Sequence, residues 1–331
     1  MTSEKPELTQ ELDRAVHAIR NADRLALACH VTPDGDALGS MLGLHHLAEA
    51  AGMPTVMSWP QPFATAKRYA RLPGLGTAVP SDEFPDEPSC VLTFDCGSLS
   101  RLNELATPAT HARTHGQLIV VDHHSTNEHF GSINLIDVQA AATAVVVRDL
   151  ARRMEWPLTR DAAWCLYVGL VADTGRFQYA STTASVFALA EELTKFDLPI
   201  SEISRQLSEE HRFAYLQLAA KALGRAELDE PRQFVSTYVT QDDLKEFGVS
   251  YEETEGLIDW IRTTAEAEVA CVCKEAADGV RVSLRSLSKV DVGAIAVSFG
   301  GGGHRLAAGF SANASIADVV EKVRNLLPVV R

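Results

Sequence analysis

The sequence predicts two α/β domains: an N-terminal doubly wound, mostly parallel sheet, and a smaller C-terminal α/β domain with a mixed sheet. Three observations lead there. In the first half, short apolar and largely β-branched runs alternate with stretches of helical periodicity, the rhythm of strand–helix–strand units. Past Gly224 the strand candidates alternate apolar and polar residues, and Ala277-Asp278-Gly279 is a hairpin turn that joins two of them antiparallel. Finally, 331 residues exceed what one ordinary core organises.

Taken in order, Glu11–Asp23 predicts an amphipathic helix with Leu12, Val16 and Ile19 on one side. A buried strand, Leu25–Cys29, runs into the loop from His30 to Asp36, and a helix from Ala37 to about Ala51 stops at Gly52. Trp59–Pro88, rich in Pro and Gly, reads as irregular connection. The strand Val91–Phe94 ends at Asp95, and the strand Gln117–Val121 delivers Asp122, His123 and His124. Helices follow over Ala141–Met154, Asp161–Ala172 and Thr183–Phe196, the second of them leading into Asp173. This sets the first domain at residues 1–196 and a helical connector, centred on Ile200–Gly224, at 197–228. Residues 229–331 form the second domain, with strands Gln233–Val239, Glu268–Cys273 and Val280–Ser286 and helices near Thr254–Thr264, Val292–Phe299 and Ser315–Leu326.

Composition narrows the function classes. A formal net charge of −14 argues against coating long nucleic acid by counterion release, but leaves room for a small phosphorylated substrate held through metal ions. No apolar run approaches the ~18 residues of a membrane span. Met1–Gln10 is polar and acidic rather than basic-then-apolar, so no secretion signal is expected. Six cysteines without a C-x-x-C pair point to reduced thiols and a cytoplasmic setting; Cys271 and Cys273 share a strand face but are poorly placed to bond each other.

Four groups of acids or imidazoles fall at element ends: His30 with Asp34 and Asp36, then Asp95, then Asp122-His123-His124, then Asp173. Active sites of open α/β sheets lie off the carboxyl ends of strands. Each group alone has a plainer explanation, since Asp34 and Asp173 could simply cap a helix or turn. Together they read as a two-metal site. Carboxylates with imidazole suit Mn²⁺, with Mg²⁺, Co²⁺ or Fe²⁺ as alternatives, and the lack of Cys ligands argues against structural zinc. Two ions about 3.5–4 Å apart suit in-line phosphoryl displacement. Other histidines fit less well. His45 and His46 are neighbours on a helix, about 100° apart, and His111 and His115 have no acidic or Cys partner nearby in sequence, so packing or surface roles are expected. Near the end, the Gly300–Gly303 run before His304 could form an anion-binding nest or only a tight turn; it is neither a phosphate-binding Walker loop nor a dinucleotide turn. Arg281, Arg285, Lys289 and Arg305, with only Asp291 to oppose them, favour the anion.

His30-x-x-x-Asp34-x-Asp36, the Phe94-Asp95 strand end, Asp122-His123-His124 and Ala172-Asp173-Thr174-Gly175 resemble the four motifs of the DHH phosphoesterase superfamily. Arg285-Ser286, Gly300 to His304, and Ala307-Ala308-Gly309 resemble its DHH-associated C-terminal domain. Among subfamilies the chain is most similar to bacterial nanoRNases that double as phosphatases of adenosine 3′,5′-bisphosphate (pAp). The resemblance implies His30, Asp34 and Asp95 on one Mn²⁺, and Asp36, Asp95, His123 and Asp173 on the other, with Asp95 as the bridge. Asp122 would orient an imidazole, and His124 would lie beside the scissile phosphate. Arg285, Ser286, Gly302, Gly303 and His304 would meet the substrate's phosphate and nucleoside. Implied partners are short RNA oligonucleotides, pAp, and linear or cyclic dinucleotides such as pApA and cyclic di-AMP, with no long nucleic acid and no membrane; a homodimer stays open. An inorganic pyrophosphatase or exopolyphosphatase shares the first-domain motifs, but Arg285-Ser286 and the glycine run speak against it. A nucleotide sensor without catalysis is the other alternative, and the full ligand set speaks against that.

Overall fold

Strands buried on both faces need helices on both sides, and the first unit is built that way. The computed structural model describes residues 6–329; residues 1–5, the first half of the polar Met1–Gln10 stretch, and residues 330–331, the end of the expected second domain, lie outside the described residues. Its elements in order are α1 (Pro6–Arg20), β1 (Leu25–Cys29), α2 (Gly35–Ala50), β2 (Thr55–Ser58), β3 (Cys90–Phe94), α3 (Ala106–His115), β4 (Gln117–Asp122), β5 (Ile133–Ile136), α4 (Thr143–Met154), α5 (Arg160–Asp173), α6 (Ala184–Thr194) and α7 (Ile200–Ser208). The five strands are all parallel, in the order β2-β1-β3-β4-β5. Leu25, Leu27 and Cys29 of β1 enter one core with Met41 and Leu42 of α2, while Ala26 and Ala28 face a second core with Leu102, Leu105 and Ala109. The doubly wound expectation therefore holds. Winding reverses between β1 and β3, which makes their carboxyl ends the switch point where such sheets take ligands.

Three elements of this unit were not anticipated. β2 and β5 have only four residues each, too few for a readable alternation, and α3 carries Pro108 and Thr among its first residues. The Trp59–Pro88 connection is irregular as expected, apart from three short 3-10 turns.

The chain divides into two compact units after Glu210, within the stretch expected to connect the domains. Ile200–Gly224 is two helices rather than one: α7 joins the first core through Ile203, whereas α8 (Phe213–Gly224) joins a core of the second unit through Tyr215, Leu218, Ala219 and Ala222. The polar run from Glu209 to Arg212 has nothing to bury and interrupts them.

The second unit continues with β6 (Glu227–Asp229), β7 (Phe234–Val239), α9 (Gln241–Phe247), α10 (Leu257–Ile261), β8 (Val269–Ala276), β9 (Gly279–Ser286), α11 (Val292–Ser298), β10 (Gly302–His304), β11 (Ala307–Ala312) and α12 (Ile316–Leu326). Its six strands run in the order β10-β11-β9-β8-β7-β6; β7 and β8 are parallel and the other pairs antiparallel, the mixed sheet expected. The β8–β9 hairpin closes at Ala277-Asp278. Gly279 follows with φ 138°, and a Cβ there would meet the Ala312 carbonyl oxygen at 2.4 Å, so only glycine fits.

Candidate metal centre

The acids and imidazoles of the first unit converge at the carboxyl ends of β1, β3 and β4 and at the C-terminus of α5. Asp34 answers both readings offered for it. Its Oδ1 caps α2, accepting the Asp36 and Ala37 amides at 3.1 Å each, and the same side chain lies in one donor group with His30 and Asp95. Asp36 is fully buried; Oδ1 accepts from Ser40 Oγ and the Ala144 amide, both at 3.1 Å, and Oδ2 accepts from the Thr143 amide at 2.5 Å. Asp95 sits in the left-handed region at φ 55°, uncommon for a residue other than glycine though tolerated by Asn and Asp. Its carboxylate accepts from Thr143 Oγ1 at 2.9 Å and faces three imidazoles: His30 Nε2 at 3.7 Å, His123 Nε2 at 3.6 Å and His124 Nδ1 at 3.5 Å. Asp173 Oδ2 lies 3.0 Å from His123 Nε2.

Asp95 thus belongs to three overlapping donor groups, His30–Asp34–Asp95, Asp36–Asp95–His123 and Asp95–Asp122–His124, and within each the ligand atoms lie within 4.8 Å of one another. The donor chemistry fits two divalent cations. His30 Nδ1 is 2.8 Å from the Val31 carbonyl and His123 Nδ1 is 3.1 Å from that of Ala140, so each ring directs Nε2 toward the carboxylates. His124 is held differently: its Nδ1 is 2.7 Å from Asp122 Oδ1, which also accepts the His123 and His124 amides. Asp122 is fully buried, and this bond fixes the orientation of the His124 ring.

Charge is crowded here. Burial first, then the Asp95 and Asp173 charges, raise the Asp36 carboxyl well above its ordinary value. Burial, with Asp95 and Asp34, raises Asp173 to about 6 against the opposing hydrogen bond from His123. Burial would lower the His123 imidazole, yet its bond to Asp173 and the charges of Asp36, Asp173 and Asp95 raise it to about 11; Asp122 and Asp95 likewise carry His124 to about 9. Asp95 stays below the usual carboxylate range, because His30, His124 and His123 outweigh its burial. Anionic groups packed so closely in a low-dielectric pocket call for cations.

In the second unit, Arg285 Nη1 donates to the Leu284 carbonyl at 2.9 Å, while its Nε is buried without a partner among the described residues. Ser286 Oγ donates to Glu268 Oε1 at 2.9 Å. The Gly300 and Gly301 amides close α11, onto the Val297 and Ala296 carbonyls at 2.9 Å each. The glycine run is therefore no open nest: Gly302–His304 form the edge strand β10, Gly303 opposite Ala308 and His304 opposite Ala307. Of the basic residues, Arg281 is paired with Asp278 at 3.0 Å.

Several residues at the centre escaped sequence reading. Asn127 Nδ2 donates to Asp122 Oδ2 at 2.5 Å and to the Cys96 carbonyl at 3.1 Å, pinning the acid that holds His124. Thr143 bonds Asp95 and Asp36 together from the first turn of α4. Asn127 stands in a polar turn just past the histidines, a weak signal; nothing local singles out Thr143.

A buried carboxylate–imidazole centre at the switch point of a parallel sheet, followed by a separate mixed-sheet unit, is an arrangement that could hold divalent cations. Residues 24–170 match the DHH family N-terminal domain and residues 232–329 the DHHA1 domain, so the chain belongs to the DHH phosphoesterase family. It is 29% identical to the "Probable bifunctional oligoribonuclease and PAP phosphatase NrnA" of Streptococcus mutans, over 93% of this chain and 96% of that one. It is 29% identical to the bifunctional oligoribonuclease and PAP phosphatase NrnA of Thermus thermophilus (92% and 88% covered), and 27% to that of Bacillus subtilis (89% and 91%). A solved structure, an exopolyphosphatase-related protein from Bacteroides fragilis, superposes with a TM-score of 0.88 at 24% identity, covering 98% of this chain and 99% of that one, and shares the fold.

Proposed function

We propose that this chain is a two-metal phosphoesterase that hydrolyses short oligoribonucleotides to mononucleotides and dephosphorylates pAp to AMP, with Mn²⁺ as its ion. The observation that carries the two-ion reading is Asp95, shared by the His30–Asp34–Asp95 and Asp36–Asp95–His123 groups. The substrate reading rests on relatives named as oligoribonucleases and PAP phosphatases along nearly their whole length. His30, Asp34 and Asp95 would hold one ion, and Asp36, Asp95, His123 and Asp173 the other. Bound there, the ions would supply an activated water and neutralise the phosphate. His124, its Nδ1 held 2.7 Å from Asp122 Oδ1, would give a proton from its other ring nitrogen to the leaving oxygen as the bond to phosphorus breaks. Arg285, Ser286, Gly302, Gly303 and His304 would bind the remainder of the nucleotide.

Six unpaired, buried cysteines support work in a reducing cytoplasm, and among the described residues no helix is long and apolar enough to cross a membrane. The test is one parallel assay of purified protein with Mn²⁺ on pAp, pApA, short RNA, cyclic di-AMP and pyrophosphate. Turnover of pAp and short RNA is expected. Preference for pyrophosphate would overturn the reading.

A further inference from the structure

Arg101 stands at the edge of the metal centre without a role so far. It lies on the short helical segment Leu99–Leu105 and is exposed. Its backbone carbonyl accepts the Val31 amide at 3.0 Å, which ties the segment to the loop after β1, and its Nη2 is 3.0 Å from His30 Nδ1. Among the described residues no carboxylate pairs with it, although the centre beside it is rich in them.

The His30 ring is contested. Its Nδ1 is also 2.8 Å from the Val31 carbonyl, and one ring nitrogen cannot serve both neighbours: it carries a hydrogen for the carbonyl or a lone pair for the guanidinium. Ligation of a cation through Nε2 requires the lone pair there, so the hydrogen of the neutral ring sits on Nδ1 and goes to Val31. The guanidinium is then left with N–H donors next to the centre and no acceptor for them among the described residues.

We propose that Arg101 is a phosphate-binding residue of the first unit, freed from His30 when the centre is loaded and taking a non-bridging oxygen of the substrate phosphate. A guanidinium suits the task, being always charged and able to offer two parallel N–H groups to one anion. The proposal needs only the phosphoesterase chemistry and not a particular nucleotide, so its failure is separate from that of the substrate reading.

The test uses the full chain carrying Arg101→Gln or Arg101→Lys. Three quantities are measured: manganese content and affinity, the affinity of the Mn²⁺-loaded protein for inorganic phosphate by calorimetry, and KM and kcat for bis-p-nitrophenyl phosphate. Arg101→Gln is expected to keep manganese at parental affinity or tighter, while its phosphate Kd rises about tenfold or more, the scale of one charge-assisted hydrogen bond. Arg101→Lys, a point charge without the parallel pair, is expected to fall between and carries the test alone if the Gln variant fails to fold. Unchanged phosphate affinity in the variants would refute the contact. Loss of manganese from either folded variant would make Arg101 a support for His30, which also overturns the proposal.

Discussion

Asp95 combines a costly backbone with a crowded side chain. Its φ of 55° is a conformation Asn adopts readily, so Asp95→Asn removes the charge common to the overlapping donor groups without disturbing the turn. We expect this variant to lose metal occupancy and activity together, measured as manganese per chain and turnover; near-normal Mn²⁺-dependent turnover would dissolve the two-ion assignment. His124 is the contrasting case. Its Nδ1 is engaged by Asp122 at 2.7 Å rather than by a backbone carbonyl, so its work lies on the other nitrogen. His124→Ala is expected to keep its metal while turnover falls by roughly 10²–10⁴-fold, the range for a lost general acid. A variant that empties one ion site instead would exchange the roles of His123 and His124.

At the scale of elements, the centre depends on how closely α2 and α5 approach. Glycines set that distance. A Cβ on Gly39 would meet the Cys165 carbonyl oxygen at 2.4 Å, and one on Gly169 would meet Asp36 Oδ1 at 2.7 Å and Ala144 Cβ at 3.0 Å. Asp36 and Asp173 belong to these two helices, so their juxtaposition follows from the contact. Gly169→Ala should gain about 1 kcal/mol of helix propensity yet lose about 1–3 kcal/mol to overpacking, and should weaken manganese binding by displacing Asp36. Gly224→Ala, with nothing within 4 Å of the added carbon, is the control. Thermal melts and manganese titrations of both variants check this, and parental manganese affinity in Gly169→Ala would show that the helix spacing does not govern the centre.

For the whole molecule, the proposed labour is divided: the metal ligands come from the first unit and Arg285 with β10 from the second. Arg285→Ala is therefore expected to raise KM for pAp and short RNA strongly while leaving bis-p-nitrophenyl phosphate nearly untouched; equal damage to both would remove the division. The net charge of −14 repels any polyanion that extends past the site. We expect RNA of about two to five nucleotides to be cleaved in preference to chains of about twenty, more so at low salt where screening is weakest. Length-independent rates in 20 mM and 200 mM salt would contradict it.

The strand ends that carry His30, Asp95 and Asp122 were legible because burial on both faces writes itself as a contiguous apolar run, and a run has an end. The hairpin at Ala277-Asp278 was legible for a similar reason, turn chemistry being local. Short or edge elements such as β2, β5 and β10 lacked enough residues to show a period, and Gly302–His304, read as part of a glycine turn, took its strand form from pairing with β11. The sequence by itself determined which residues had the chemistry of a metal centre and which kind of sheet would carry them. Only the tertiary structure decided the strand order that puts β1 beside β3, the helix contact that brings Asp36 to Asp173, and the placing of Thr143, Asn127 and Arg101 around them. Those are contacts between residues far apart in the chain, selected by how whole elements pack, and no local pattern records them.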